Sequence, residues 1–233
     1  MKFKVGTRNE STRETWLAHA LKQIPAGSRI LDAGAGQLRH KKLCSHLDYL
    51  SQDFARYDGK GDGSGLQTGS WDQSQIDIVS DIIDIPEPNG SFDAIMCIEV
   101  LEHLPNPFLA LQEFSRLLQP GGQLIVTAPF CSLTHFAPYH FYSGFNRYFH
   151  ETHLPNFGFT IVDFKENGNF FEFLAQEVRR LPLVSRHYTG NNLRLWEKGV
   201  IYLMTAMLEK LHSKDTGSAE LLNFGCQVRA VKN

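Results

Sequence analysis

Arg29-Ile30-Leu31-Asp32-Ala33-Gly34-Ala35-Gly36 decides how this chain is read. An apolar run meets an acidic residue and then, at once, a Gly-x-Gly turn. That order predicts a buried strand whose carboxyl end opens into a tight loop before a helix. Glycine has no Cβ, so such a loop accepts unusual dihedrals and lets a ligand lie against bare backbone. Open α/β sheets bind ligands at the carboxyl ends of their strands, which places a candidate site at this turn.

The features that follow fall at the expected distances. Asp53 lies roughly twenty residues beyond the first strand, after Leu47–Leu50, the usual place for a carboxylate that accepts both ribose hydroxyls of an adenosine ligand. A third strand is expected over Ile76–Ser80, ending at Asp81-Ile82, where a carboxylate beside an aliphatic side chain can bond an adenine amino group and cover its ring. A fourth, Phe92–Ile98, runs into Glu99-Val100-Leu101-Glu102-His103. A helix over Pro107–Leu118 is broken by Pro120-Gly121-Gly122 before a fifth strand, Leu124–Ala128. A nicotinamide dehydrogenase would carry a third glycine three residues after Gly36; Arg39 stands there instead.

Taken together, LDAGAG, the acidic residue after strand two, SDI, SFDAIMCIEVLEHL and LLQPGGQLIVTAP resemble a class I S-adenosylmethionine-dependent methyltransferase of the type-11 group. The resemblance is densest from Ile30 to Pro129. It implies an α/β fold: a Rossmann-like three-layer sandwich with a seven-stranded, mostly parallel sheet and an antiparallel last strand. It implies S-adenosylmethionine as cofactor, with Asp32, Gly34 and Gly36 around the methionine portion. Asp53 would then hold the ribose and Asp81 with Ile82 the adenine; Phe54 and Ile98 would also belong to the cofactor site. Residues 1–233 would form a single domain, with residues 1–28 as an N-terminal helical lid. Residues 130–158 and 168–215 would be helical and loop additions on the substrate side.

Composition agrees with one α/β core. The 233 residues are 42% hydrophobic and 21% charged, an ordinary balance for a globular protein. A net charge of -2 without long blocks of one sign leaves no electrostatic footprint for nonspecific nucleic-acid binding. Cys44, Cys97, Cys131 and Cys226 show no CxxC spacing and read as free thiols. Neither a secretory leader nor a membrane span is expected, and the default location is a reducing cytoplasm.

Three further segments bear on function. Ser11–Gln23 reads as a helix capped by Ser11 or Thr12 and ended by Pro25, either a lid over the cofactor or plain packing on the sheet. Tyr57–Ser74 is polar, rich in glycine and holds Trp71; it is either a solvated loop, a cover over the adenosine or part of the surface that meets the partner. Pro129–Gly158 mixes His135, His140, His150 and His153 with tyrosines and phenylalanines. Aromatic faces stack on rings and imidazoles bond hydroxyls, so acceptor specificity is expected here, although at least half of Phe141, Phe145, Tyr148 and Phe149 would simply pack a helix.

Toward the C-terminus, Thr160–Phe164 suggests a sixth strand, Phe170–Leu181 a helix closed by Pro182, and Leu221–Lys232 the last strand. Asn192–His212 has a broad apolar face suited to core packing, to a homodimer surface or to the wall of a site for a lipidic acceptor.

Methyl transfer from a sulfonium is an in-line displacement, and holding donor and acceptor in line supplies much of the catalysis. A hydroxyl acceptor also needs to lose its proton, which calls for a general base or a metal. His103, His135 and His140 are the candidate catalytic bases. Glu99, Glu102 and His103 form an E-x-x-E-H cluster that, on a helix, shares one face. In ubiquinone-pathway and small-RNA O-methyltransferases a similar cluster holds a divalent ion, with His140 suited to complete it here; the plainer reading is structural. The expectation is O-methylation of a small polar or glycosyl acceptor, with N-methylation of a small molecule or non-catalytic cofactor binding as alternatives.

Overall fold

Successive residues of a strand point to opposite sides of a sheet, so an unbroken apolar strand requires cover on both. Phe92–Ile98 meets that condition in the computed structural model, which describes residues 3–233. Ala94, Met96 and Ile98 join Ile30 and Ile125 on one face and pack against Trp16, Leu17 and Leu21. Ile95 and Cys97 join Leu31, Leu124 and Val126 on the other, against Leu111, Phe114 and Leu117. Each large side chain buried this way contributes about 1.5–3 kcal/mol, so the two apolar layers hold the central strands in place.

The strands are β1 (Arg29–Ala33), β2 (Asp48–Asp53), β3 (Ile78–Val79), β4 (Phe92–Ile98), β5 (Leu118–Pro129), β6 (Phe159–Asn167) and β7 (Gly225–Lys232). Their order is β3-β2-β1-β4-β5-β7-β6. Pairing is parallel from β3 through β5, and β7 runs antiparallel to β5. This is the expected seven-stranded Rossmann-like sheet. The order reverses between β1 and β4, and the crevice at their carboxyl ends is where such sheets place ligands. The helices are α1 (Asn9–Leu21), α2 (Pro107–Leu117), α3 (Arg147–Asn156), α4 (Phe170–Thr189) and α5 (Leu195–His212).

The chain packs as two compact units. Trp16–Lys165 with Gly225–Asn233 forms one and carries nearly all of the sheet; Glu166–Phe224 with the described residues up to Thr15 forms the other. The expected N-terminal lid is therefore divided at Thr15, and its residues 1 and 2 lie outside the described residues. In the second unit Val5, Ala175, Val178 and Leu208 make a small core. There the buried Glu172 accepts a hydrogen bond from the Gly6 N–H at 2.6 Å and one from the Arg8 guanidinium.

Several elements depart from expectation for local reasons. Only residues 37–47 separate the glycine turn from β2, and they hold a single 3-10 turn, Lys41–Cys44, instead of a helix. The third strand shrinks to two residues. Ser51 and Asp77 use their side chains on each other's backbone N–H groups (2.9 and 3.0 Å), so the ladder begins only beyond them. β5 starts at Leu118 because a register shift between Phe92 and Ala94 absorbs Pro120-Gly121-Gly122. α1 starts at Asn9, and the Ser11 and Thr12 hydroxyls bond back to the Arg8 carbonyl from inside its first turn. Pro182 sits within α4 and does not close it. A proline removes one helix hydrogen bond without forcing a turn, and the stop is left to Gly190 in the left-handed region at φ 69°.

Candidate functional site

The glycine turn is fixed by β2. Gly34 and Ala35 both donate to the Gln52 carbonyl at 2.9 Å, which draws the end of β1 across the carboxyl end of its neighbour. Gly34 has φ 76°, and a Cβ there would lie 2.6 Å from the Val100 side chain, so only glycine fits the close approach. Gly36 donates to Asp53 Oδ2 at 2.9 Å. Asp53 Oδ1 accepts from the Ala55 N–H at 2.8 Å and from the Gln73 amide at 3.0 Å.

Asp32 lies beneath this turn, 2% exposed, with the Tyr49 hydroxyl donating to its carboxylate at 2.6 Å. Burial pushes its carboxyl up to about 7; the Tyr49 bond opposes the rise and the charge of Asp53 adds to it. Cys44, also buried and near Asp32, is pushed up to about 12.

A cavity of about 260 Å³ opens above these residues. Of the sequence-predicted cofactor residues, Gly34, Asp53, Phe54, Asp81 and Ile82 line it. Asp32, Gly36 and Ile98 do not; Ile98 is buried in the layer beneath, against the α1 side of the sheet. Aromatic rings close the opposite wall. Tyr57 stacks on Phe136 (4.7 Å between centroids), Trp71 meets both edge-on, and Phe54 meets Tyr139 edge-on at 5.0 Å. The glycine-rich segment therefore is not free in solution: Leu66 bonds the Thr134 carbonyl and Phe136 bonds the Leu66 carbonyl, 2.9 and 3.1 Å.

The acid and histidine cluster differs from expectation in its membership. Glu99 is not on a common helical face with Glu102 and His103. It adopts φ 56°, turns back on β5 and accepts from the Thr127 hydroxyl at 2.8 Å. Leu101–His103 forms a 3-10 turn that buries Glu102 and brings His103 to the cavity. His103 Nε2 is 3.7 Å and His135 Nε2 4.0 Å from the same Glu102 oxygen. One ligand atom from each of the three lies within 4.8 Å of the others. His135, not His140, is thus the third member. His140 stands beside them, its ring 4.8 Å from that of His135 and its Nε2 3.1 Å from the Ser132 hydroxyl.

Both cluster imidazoles have their Nδ1 atoms at backbone carbonyls: His103 at Tyr139 (2.6 Å) and His135 at Leu133 (2.8 Å). Donation there fixes the tautomer and leaves each Nε2 without a proton. Burial, with His135 and His140 adding, lowers His103 to about 3 and keeps it neutral. Tyr49, Gln52, Gln73, Tyr57 and Phe136 escaped the sequence reading. Their partners are distant in the chain; the wall was signalled by Trp71 in the glycine-rich segment and by the surplus of aromatic residues after β5.

A family model described as a methyltransferase domain matches residues 8–177. The chain belongs to this family. Within it, 115 residues are 33% identical to a ubiquinone biosynthesis O-methyltransferase of Xanthomonas oryzae pv. oryzae, covering 44% of this chain and 43% of that protein. A namesake from Xylella fastidiosa is 38% identical over 111 residues, covering 44% and 42%. The matched region thus spans less than half the length of these curated relatives. Among solved structures, a SAM dependent methyltransferase from Archaeoglobus fulgidus superposes with a TM-score of 0.58 at 16% identity, over 95% of this chain and 94% of that one. The [4+2]-cyclase SpnF superposes with a TM-score of 0.53 at 16% identity, over 93% and 80%. These likenesses establish the methyltransferase fold.

Proposed function

We propose that this methyltransferase-family protein moves a methyl group from S-adenosylmethionine to a hydroxyl oxygen of a small, polar, ring-bearing acceptor, a sugar or a phenol. The observation that carries the reading is a cavity lined by Gly34 of the glycine turn, by two carboxylates, Asp53 and Asp81, by an aromatic wall and by His103, the one member of the Glu102–His103–His135 cluster that reaches it. The turn and Asp53 suit the ribose and methionine portion of the donor, and Asp81 with Ile82 the adenine. Stacked aromatic rings suit the face of an acceptor ring. In the reaction the hydroxyl oxygen attacks the methyl carbon, the carbon–sulfur bond breaks, S-adenosylhomocysteine leaves, and the hydroxyl proton passes to a base.

Glu102, His103 and His135 offer one oxygen and two nitrogens to a divalent ion of the magnesium, manganese or zinc class. The buried His103 Nε2 has no hydrogen-bond partner among the described residues, and both Nδ1 atoms are braced by carbonyls, as metal-bound imidazoles commonly are. Such an ion would supply positive charge that lowers the pKa of a nearby hydroxyl. His140, outside this set, is then the side chain left to take the proton. The O-methyltransferase names of the curated relatives favour oxygen as the acceptor atom.

The test is transfer of labelled methyl by the full chain to catechol, a methyl glycoside and a primary amine of similar size, with and without chelator. Methylation on oxygen is expected, lost on chelation and reduced about a hundredfold in His140→Ala. Methylation of the amine alone, or donor binding with no S-adenosylhomocysteine formed on any probe, would overturn the reading.

A further inference from the structure

The α4–α5 pair is apolar on more sides than its own core uses. α5 turns Ile201, Met204 and Leu208 inward to the small core of its unit. Its outer side carries Trp196, Val200, Leu203 and Met207, spaced by four, three and four residues as one stripe along the helix, at 65%, 45%, 68% and 52% exposure. Leu195, at the start of α5, is 87% exposed, and Leu183 and Tyr188, near the end of α4, are 61% and 66% exposed. A contiguous stripe of large exposed apolar side chains requires cover.

What covers them is indicated by charge. Residues 179–198 contain Arg179, Arg180, Arg186, Arg194 and Lys198 against Glu197 alone, five positive charges to one negative, in a chain whose net charge is -2. Arg179 is spent on the Phe3 and Val5 carbonyls and Arg180 on Glu177. Glu197 is engaged at the start of α5, accepting from the Arg194 N–H at 2.6 Å. Arg186, Arg194 and Lys198 are exposed and have no ion-pair partner among the described residues. Three free cations thus flank Trp196, Tyr188, Leu195 and Leu183 around the connection of the two helices. Amphipathic rings that settle at headgroup level, aliphatic side chains that enter the acyl boundary, and Arg and Lys that meet lipid phosphates are the parts of an interfacial membrane anchor.

We propose that the end of the α4–α5 pair docks on an anionic lipid surface, lying in the interface without crossing it. No helix among the described residues is long and apolar enough to span a bilayer, which is consistent with an in-plane attachment. A self-associating helix face would need the apolar stripe alone; a cationic cluster around the stripe would repel its own copy across a twofold interface and favours an anionic partner instead.

Flotation of the full chain with vesicles of phosphatidylcholine containing a third phosphatidylglycerol, and with phosphatidylcholine alone, tests this. Capture is expected on the anionic vesicles only, and it should fall with added salt. Arg186→Gln with Arg194→Gln should weaken it by about tenfold or more, since each cation at such a surface is worth roughly a factor of five. Leu195→Glu with Trp196→Glu should abolish it. These side chains are exposed, so thermal unfolding and S-adenosylmethionine binding should stay as in the parent. Absence of capture, or equal capture by neutral and anionic vesicles, would overturn the proposal. So would a concentration-dependent dimer in sedimentation that disappears in the Trp196→Glu variant without any vesicle binding, which would assign the face to a second copy.

Discussion

Asp32 ends an apolar strand in full burial, and its carboxyl is held at about 7 instead of the ordinary 3.8. A carboxyl raised in the folded state binds a proton that the unfolded chain has already lost. Its cost to stability is absent below the unfolded value, grows as pH rises from about 4, and is complete above about 7. The ligand-free protein should therefore lose on the order of 4 kcal/mol from this group across that window. Asp32→Asn should flatten this slope when denaturant unfolding is followed across the same pH range; parallel slopes in parent and variant would refute the assignment. Tyr49→Phe, which removes the one hydroxyl that opposes the rise, should steepen it. Asp32 was legible because it stands near the end of a strand, just before a glycine turn. Tyr49 was not: register pairs Asp32 with Ser51, so Tyr49 reaches it diagonally from two residues along the next strand, a relation with no trace in spacing.

Among the elements, the glycine-rich segment holds most of what the sequence left open. It was recognisable as a polar, glycine-rich loop, yet nothing in its composition shows that it docks on residues 134–137. Gly61 has φ 52°, and a Cβ there would sit 1.9 Å from the Ala137 carbonyl oxygen. Gly61→Ala should undock the segment and speed its cleavage in limited proteolysis; an unchanged cleavage rate would show that the docking does not restrain it. The same segment supplies Gln73 to Asp53. A carboxylate has about four acceptor sites. Three are filled by Gly36, Ala55 and Gln73, so two ribose hydroxyls cannot both enter until one partner leaves. Gln73 is the only side chain of the three. Gln73→Leu should tighten S-adenosylmethionine binding by about two- to tenfold, the worth of one hydrogen bond. Weaker binding would mean that Gln73 supports the ribose instead of competing with it. The 3-10 turn at Leu101–His103 had a similar outcome. The E-x-x-E-H spacing was visible, but the left-handed backbone at Glu99 replaced that residue with His135, which comes from another loop.

For the molecule as a whole, the sheet was readable because strands covered on both faces appear as unbroken apolar runs, and because glycine and proline mark their ends. The division into two units was not, since a helix displays its apolar faces in sequence without naming the neighbour each will meet. Residues 8–177 share a family with methyltransferases, whereas α5 lies outside the matched region, so its outer face has to be understood from its own chemistry. The central proposal is that Asp53, which lines the cavity beside the glycine turn, holds the ribose of S-adenosylmethionine. Calorimetric titration of S-adenosylmethionine and S-adenosylhomocysteine into the full chain and into Asp53→Ala tests that most directly. Both ligands should bind the parent, and the variant should bind each at least about tenfold more weakly, the loss of hydrogen bonds to a charged group. Equal affinity in parent and variant, or no binding to the parent at all, would contradict it.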